Sequence, residues 1–295
     1  MDLRPIGVFD SGLGGLTVLA ELFRILPNEE YIYIGDTARV PYGSRSKETI
    51  ERYSLEIASY LVRQDIKLLV VACNTASSYA LEVLKKHFSI PIVGVIEPAI
   101  YGFFKNSRNS KVAVIGTRGT IKSKSYSKII HRIDSEVQVF SKACPLFVPL
   151  VEEDFLEHPI TYAVIKEYLQ EIVDNKIQDI ILGCTHYPLL KKAILSIYPD
   201  LNLIDSSLET ALYVKNLLKD YNIENQKQKN QKRITKIFLT DITERASILK
   251  KLFLEKDGYF IIEDDYLYLK NSSEIKFILL VQELKLEDLI IEKAF

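Results

Sequence analysis

The sequence has few cysteines, and their arrangement is neither that of a disulfide framework nor that of a structural zinc site. Three cysteines occur in 295 residues, and no two of them form a CxxC pair. Disulfide-rich secreted domains and structural zinc sites both depend on denser and more regular cysteine spacings, so neither class fits. Cysteines used so sparingly are typical of a reducing compartment.

Long apolar runs and an excess of one charge are also absent. No apolar stretch approaches the ~18 residues that a membrane span needs. The chain enters strand-like sequence by Ile6 without the regions of a signal peptide. Lys and Arg number 38 against 39 Asp and Glu, a net charge of −1 that gives no general attraction to nucleic acid or acidic membranes. We therefore expect a cytoplasmic protein with neither as a partner.

Two apolar strands each run into a cysteine. Leu68–Ala72 is a continuous apolar run, typical of a parallel strand buried on both faces, and Cys73 follows it. Asp179–Gly183 leads into Cys184 in the same way. Ligands of open α/β sheets bind at the carboxyl ends of the strands, and a following helix N-terminus suits a carboxylate. One such cysteine is usually structural, but the repetition favours a site.

The order of these motifs occurs twice in the chain. A strand and a polar glycine turn at 6–15 precede the Cys73 strand, and a similar pair at 112–120 precedes the Cys184 strand. With 47% hydrophobic residues, the length suits two domains or one large α/β unit. We predict two pseudo-symmetric α/β domains, each a mainly parallel sheet flanked by helices, with both thiols in the cleft between them. Glu97-Pro98 breaks the pattern and is the predicted first crossing.

The turn after the first strand allows a different interpretation. Asp10–Gly15 lies between a strand and a helix, as a dinucleotide fingerprint does, and Asp36 follows the next strand. The third glycine position holds Thr17, so the fingerprint is incomplete. The simpler interpretation is a turn whose glycines need positive φ. A nucleotide- or anion-binding module with structural cysteines remains an alternative.

Two thiols on opposite faces of a substrate carbon can invert that carbon without a redox cofactor. A thiol pKa of about 8.5 makes the thiolate accessible, so one group removes a proton and the other delivers one. Asp10 and His186 are predicted each to assist one thiol, and donors in the polar turns to stabilise developing charge. A metal site at Cys184 and His186 would lack a third ligand, and a Cys–His nucleophile pair would leave Cys73 without a role.

Other ionisable groups receive local interpretations. Cys144 precedes a proline and lacks the polar residues that follow the other two cysteines, so we interpret it as structural. Glu152, Glu153 and Asp154 read as the solvated first turn of a helix. Near the C-terminus, a helix is predicted over 243–253 and strands over 259–262, 266–269 and 276–282.

Four segments, in this order, resemble the aspartate/glutamate racemase family. They are Gly7–Gly15, Gly35–Gly43, Val71–Ser77 and Leu182–Pro188, within a similarity that covers roughly residues 5–255. The resemblance implies interconversion of L- and D-glutamate with no cofactor and no metal, supplying D-glutamate for peptidoglycan. It also implies a homodimer. An aspartate racemase of the same family is the alternative within the enzyme class.

The resemblance also implies the roles of individual residues. Cys73 would act on the α-proton of D-glutamate and Cys184 on that of L-glutamate. Asp10 would assist Cys73, and His186, with Glu152 nearby, would assist Cys184. The residues that would bind or line the substrate pocket are Asp10, Ser11, Tyr42, Gly43, Asn74, Thr75, Thr117, Thr120 and Thr185.

The same resemblance places the domain boundaries. The chain would enter the second domain at 98 and leave it near 208, which gives a first domain of 1–97 plus 208–295 and a second of 98–207. The polar insert Glu224–Arg233, whose composition is that of a loop, and the tail after about residue 265 exceed the usual family length.

Overall fold

The structure is a computed structural model that describes residues 2–226, 234–241, 258–263, 266–271 and 274–289. The predicted helix over 243–253 and residues 227–233 of the polar insert lie outside the described residues. No helix in the described part of the chain has the length and apolar character needed to cross a bilayer.

The first sheet is built mainly from the two ends of the chain. Its strands lie in the order β10-β11-β12-β9-β2-β1-β3-β4, parallel except where β11 runs against β10 and β12. The strand bounds are β1 (Ile6–Asp10), β2 (Tyr31–Gly35), β3 (Leu68–Val71), β4 (Ile92–Gly94), β9 (Ile234–Leu239), β10 (Gly258–Glu263), β11 (Tyr266–Asn271) and β12 (Glu274–Glu283). The three predicted C-terminal strands are thus confirmed.

The second sheet is four-stranded and wholly parallel, in the order β6-β5-β7-β8. Its strands are β5 (Lys111–Gly116), β6 (Gln138–Ala143), β7 (Asp179–Gly183) and β8 (Asn202–Asp205). Two parallel-sheet α/β domains are therefore present, as the repeated motifs predict. In each of them the strand that ends at a catalytic candidate, β3 or β7, lies inside its sheet.

Helices cover both faces of each sheet. They are α1 (Leu16–Ile25), α2 (Lys47–Arg63), α3 (Asn74–Tyr79), α4 (Leu81–His87), α5 (Ile96–Asn106), α6 (Arg118–Ser123), α7 (Ser125–Ile133), α8 (Phe147–Glu152), α9 (Pro159–Asp174), α10 (Lys191–Ile197), α11 (Ser206–Asp220) and α12 (Leu286–Leu289). Alternate strand residues supply the two faces: Val8 belongs to the core on one side of the first sheet and Phe9 to that on the other. This two-sided burial explains the continuous apolar runs.

The chain passes from one sheet to the other through helices. Glu97-Pro98 does not break the pattern; both residues lie in the first turn of α5. Proline is tolerated there because the first backbone N–H groups of a helix have no partner within it. The chain returns through α11, which spans 207 and 208. The exact boundaries 1–97 plus 208–295 and 98–207 stay a prediction, with each crossing inside a helix.

The tail is part of the first domain. Strand β12 pairs in parallel with β9, placing Ile278 beside Ile234. After it, Leu284 and Leu289 are buried in the core cluster that also contains residues of α2. Arg63 Nη2 donates to the carbonyl oxygen of Asp288 at 3.2 Å. The tail therefore contributes apolar burial to this domain.

Replacing Leu289, which is 0% exposed, tests this contribution. Leu289→Ala is expected to lower the free energy of unfolding by about 2–4 kcal/mol, because it removes buried methyl groups and leaves a cavity. Leu146→Ala, at a half-exposed leucine, is the control and should change it by less than about 0.5 kcal/mol. Urea denaturation measures both. Equal midpoints for the two variants would show that the tail does not stabilise the domain.

Candidate active site

Cys73 lies at the carboxyl end of β3 and caps the N-terminus of α3. Its Sγ accepts from the backbone N–H of Ala76 at 3.4 Å and donates to Ser11 Oγ at 3.5 Å. Burial above all, and then the Asp10 carboxylate, raise the pKa of Cys73 to about 12. The environment on this side of the cleft therefore keeps the group as a neutral thiol.

Asp10 lies at the end of β1, fully buried beside Cys73. Its Oδ2 accepts from the backbone N–H of Gly12 at 3.0 Å, and its Oδ1 accepts from Thr185 Oγ1 of the second domain at 3.4 Å. Burial raises the pKa of Asp10, although the charge of His186 and backbone N–H groups of the turn oppose this. Asp10 thus connects the two halves of the site.

The glycines of the Asp10–Gly15 turn allow neighbouring side chains to lie close to the backbone. None of the glycines in the described residues adopts a positive φ, so the positive-φ interpretation is wrong. A Cβ at Gly15 would lie 2.4 Å from Asp10 Cβ, and one at Gly14 would lie 2.4 Å from Thr185 Oγ1 and 2.5 Å from the His186 ring. Only residues without a side chain allow the turn to contact the second domain this closely.

Cys184, His186 and Glu152 form a row on the second domain. Cys184 Sγ lies 3.8 Å from His186 Nδ1, and His186 Nε2 lies 3.3 Å from Glu152 Oε1. Glu152 is the last residue of α8, not the first turn of a solvated helix, so that interpretation is wrong. The carboxylate is directed at the buried imidazole because the helix ends beside it.

The charge that His186 places beside Cys184 is opposite in sign to the charge beside Cys73. Burial by itself would lower the pKa of His186, but Cys184 and Glu152 outweigh it and raise the pKa to about 10. The imidazolium places a positive charge beside Cys184. The two thiols, each 5% exposed, therefore face opposite charges, Asp10 on one side and His186 on the other.

Three threonine hydroxyls bridge the domains on another wall of the site. Thr75 Oγ1 lies 3.0 Å from Thr117 Oγ1 and 3.3 Å from Thr120 Oγ1, and the last two are 3.1 Å apart. A Cβ at Gly43 would lie 3.0 Å from Thr117, so the turn that contains Gly43 reaches the same cluster. The structure brings these four candidates together.

The side chain of Tyr42 does not join the threonine cluster that the neighbouring Gly43 reaches. Its side chain is 1% exposed, and its hydroxyl donates to Asp36. Asp36 also accepts from Arg39 Nε at 2.7 Å and from Thr240 Oγ1 at 3.0 Å. Tyr42 can therefore contribute to a ligand only through its backbone, and Asp36, which is fully buried and already paired, offers no carboxylate to the ribose of a nucleotide.

Asn74 supplies a hydrogen-bond donor beside Cys73. Its side chain is 2% exposed, and its Oδ1 accepts from Tyr126 Oη at 2.7 Å. Its Nδ2 is buried and has no partner among the described residues. A buried amide N–H₂ of this kind costs free energy unless a ligand accepts from it, and it suits a carboxylate.

Two contributors to the site were missed from the sequence. Thr17 Oγ1, in the first turn of α1, lies 2.9 Å from the carbonyl oxygen of Thr185 and 2.9 Å from Ser207 Oγ. Tyr126, in α7, contacts Asn74. Neither has a local signal, since each contact joins segments far apart in the chain. In the described part of the structure, no group of three or more His, Cys, Asp or Glu residues could hold a metal ion.

Comparisons with known proteins identify relatives of this chain over most of its length. The sequence model of the Asp/Glu/Hydantoin racemase family matches residues 6–212. The glutamate racemase of Persephonella marina is 52% identical over 85% of this chain and 94% of its own. A solved glutamate racemase from Francisella tularensis in complex with D-glutamate has a TM-score of 0.79 at 38% identity, covering 85% of this chain and 94% of that one. A glutamate racemase structure from Thermus thermophilus, in complex with beta-chloro-D-alanine, has a TM-score of 0.79 at 40% identity, covering 98% of this chain and 100% of that one.

Two α/β domains that match solved glutamate racemases, together with relatives at this level of identity, thus identify a racemase, an enzyme of the isomerase class. The chain belongs to the Asp/Glu/Hydantoin racemase family.

Titration of His186 tests the electrostatics of the site. Glu152→Gln is expected to lower the pKa of His186 from about 10 toward its ordinary value of about 6.5, because one of the two charges that favour the imidazolium is removed. NMR of ¹³C-labelled histidine measures this. His131, whose Nε2 lies 3.1 Å from the Val137 carbonyl oxygen, is the internal reference. An unchanged His186 titration in the variant would contradict the assignment.

The same shift predicts how stability varies with pH. A raised folded-state pKa gives stability that is fully present below about pH 6.5 and is lost as the pH rises through about 10. The free energy of unfolding should therefore fall between these values, more steeply in the unmutated protein than in Glu152→Gln. Parallel curves for the two proteins would contradict this.

Proposed function

We propose that the protein interconverts L-glutamate and D-glutamate by acid–base catalysis between Cys73 and Cys184, without a cofactor. Two observations carry the proposal. Each domain contributes one buried thiol, and the ionisable partners of the two thiols, Asp10 and His186, carry charges of opposite sign. Names of relatives support glutamate as the substrate: the Persephonella marina protein is a glutamate racemase, and the Francisella tularensis structure contains D-glutamate.

The proposed step begins with L-glutamate between the thiols. The Cys184 thiolate takes the α-proton, and the electron pair of that C–H bond moves toward the substrate carboxylate. Cys73 then gives its thiol proton to the opposite face of the same carbon, forming the new C–H bond. The product is D-glutamate, Cys184 is now the thiol and Cys73 the thiolate. The reverse reaction starts from this second state, so no electrons are gained or lost.

The partners support this division of roles. The protonated imidazole of His186 stabilises the Cys184 thiolate, and the 3.3 Å contact with Glu152 stabilises that imidazolium. On the other side, the high pKa of Cys73 favours the thiol in the resting enzyme. Asp10, whose own pKa is raised by burial, is the ionisable group beside Cys73 and would assist it as it changes between thiol and thiolate.

The substrate carboxylates would be bound by hydroxyl, amide and backbone N–H groups. We assign this role to the residues expected from the sequence: Ser11, Tyr42 through its backbone, Gly43, Asn74, Thr75 and Thr185, with Thr117 and Thr120 lining the wall. Asp10, itself a carboxylate, would instead lie at the amino-group side of the substrate. Preorganised donors of this kind also stabilise the charge that builds up on the carboxylate as the α-proton leaves.

The proposed activity also implies a cellular role for its product. The family resemblance implies that D-glutamate formed here would supply peptidoglycan synthesis and that the protein is a homodimer. The sparse cysteines favour the cytoplasm. Sedimentation of the purified protein tests the dimer.

Aspartate is the alternative substrate, because a two-thiol mechanism acts on any α-proton that reaches it. Circular dichroism with each amino acid decides between them: we expect the rate for glutamate to exceed that for aspartate by at least about a hundredfold, since a shorter chain cannot hold both carboxylates on the same donors. A faster rate with aspartate would replace glutamate as the substrate.

Single substitutions test the two-thiol mechanism. Cys73→Ser and Cys184→Ser should each slow racemisation by about a thousandfold or more, because an alkoxide is far harder to form than a thiolate. Circular dichroism follows the reaction from each enantiomer. Turnover within about tenfold of the unmutated rate in either variant would contradict the mechanism.

Cys144→Ser is the matched control for these variants. Cys144 is also fully buried, but its Sγ contacts the Lys142 carbonyl oxygen at 3.8 Å and lies outside the thiol–partner pairs described above. The control should retain a rate within about threefold of the unmutated protein. A loss as large as that of the other two would mean that any buried cysteine substitution disrupts the fold.

A further inference from the structure

The two ends of the Asn74 amide have different surroundings. Oδ1 accepts a hydrogen bond from Tyr126 Oη at 2.7 Å, whereas Nδ2 is buried without a partner among the described residues. The two ends of an amide are nearly the same in shape but opposite in hydrogen bonding. Rotating the side chain by half a turn would therefore replace the donor beside Cys73 with an acceptor, which repels a carboxylate.

The Tyr126 hydroxyl decides between these orientations. It has one proton, and its acceptor in the described structure is Asn74 Oδ1. Burial and the charge of Cys184 raise the pKa of Tyr126, so the hydroxyl stays protonated and remains a donor. With Oδ1 held in this bond, the amide N–H₂ is left for the substrate.

Tyr126 is itself held in place by the strand that carries the second thiol. Its side chain is 3% exposed, and a Cβ at Gly183 would lie 3.3 Å from Tyr126 Cε2. Gly183 directly precedes Cys184, so the absence of a side chain at this position leaves room for the tyrosine ring. The ring thus lies between the Cys184 strand and the residue that follows Cys73.

The Tyr126–Asn74 bond also crosses between the domains. Tyr126 belongs to α7 of the second domain, and Asn74 begins α3 of the first. Neighbouring contacts cross at the same place: Ser125 Oγ donates to the Ser78 carbonyl oxygen at 3.3 Å, and Tyr79 Oη donates to that of Gly119 at 3.1 Å. The orientation of Asn74 therefore depends on the contact between the two domains.

We propose that Tyr126 is a positioning residue, which holds the Asn74 amide with its N–H₂ toward the substrate carboxylate when the two domains are in contact. This inference rests on the proposed function, because it assigns Asn74 a carboxylate to bind. It explains why a buried tyrosine of one domain donates to a side chain of the other.

Steady-state kinetics of Tyr126→Phe test the inference. The variant keeps the ring and removes only the donor, so Asn74 is free to rotate. We expect KM for both enantiomers of glutamate to rise about fivefold to tenfold, the effect of one hydrogen bond, while kcat changes by less than about twofold. An unchanged KM would overturn the inference.

A matched control and a double variant separate positioning from packing. Tyr31 is also a fully buried tyrosine, whose hydroxyl donates to the carbonyl oxygens of Leu22 and Leu26 at 3.1 and 2.9 Å. Tyr31→Phe should leave KM unchanged. Tyr126→Phe should have no further effect on KM in an Asn74→Ala background, since it acts through Asn74. If the increases in KM of the two single variants multiplied in the double variant, the inference would be overturned.

A structure of the unmutated protein with D-glutamate gives a readout that does not depend on folding of the variant. The expected result is Nδ2 of Asn74 within hydrogen-bond distance of a substrate carboxylate and Oδ1 on the Tyr126 hydroxyl; Oδ1 on the substrate side would overturn the inference. Absence of racemisation by the unmutated protein would contradict the proposed function itself. Normal racemisation with an unchanged KM in Tyr126→Phe would contradict the role of Tyr126 alone.

Discussion

The close contact between the Asp10–Gly15 turn and the second domain is the constraint on which the site depends. At Gly14 even a methyl group would collide with Thr185 and the His186 ring. Because the turn carries no side chain there, Asp10 of one domain reaches Thr185 of the other, and Thr17 at the start of α1 reaches the backbone of Thr185. The two thiols, each with partners from its own domain, are thereby brought to one junction.

That contact buries ionisable groups, which destabilises the fold but creates a site suited to proton transfer. Asp10 and His186 are both buried ionisable groups, and burial alone disfavours their charged forms. Their charges are opposite in sign and attract across the domain boundary. This attraction, hydrogen bonds from the turn and the 3.3 Å contact with Glu152 offset part of the cost. Partners fixed in advance need little reorganisation when a proton moves, which is the property that a two-base reaction requires.

Much of the architecture could be predicted because burial leaves a local signature. The strands before Cys73 and Cys184 are covered on both faces, so their sequences are continuous apolar runs, and polar residues at their ends mark the ligand edge. Strand β6 has no such run, since its residues are half-exposed at the sheet edge, and it was not predicted.

Long-range contacts explain most of what the sequence could not show. A proline in a first helical turn resembles a break in the pattern, which misled the interpretation of Glu97-Pro98. The contact of Glu152 with His186, which the family resemblance implied but the local pattern did not, and that of Tyr126 with Asn74 depend on how the elements pack. The same holds for the glycine turn: its composition indicated a special backbone, but only the packed structure shows that space, and not φ, is what requires glycine.

The central claim, that two thiols act on opposite faces of one carbon, is tested most directly by NMR of the unmutated protein with L-glutamate in D₂O, followed over the first few per cent of conversion. The account predicts that the D-glutamate formed carries deuterium at the α-carbon while the remaining L-glutamate keeps its proton, because the group that removes the proton is not the group that returns one. Deuterium entering the remaining L-glutamate as fast as D-glutamate forms would show a single base serving both faces, and would contradict the two-thiol account.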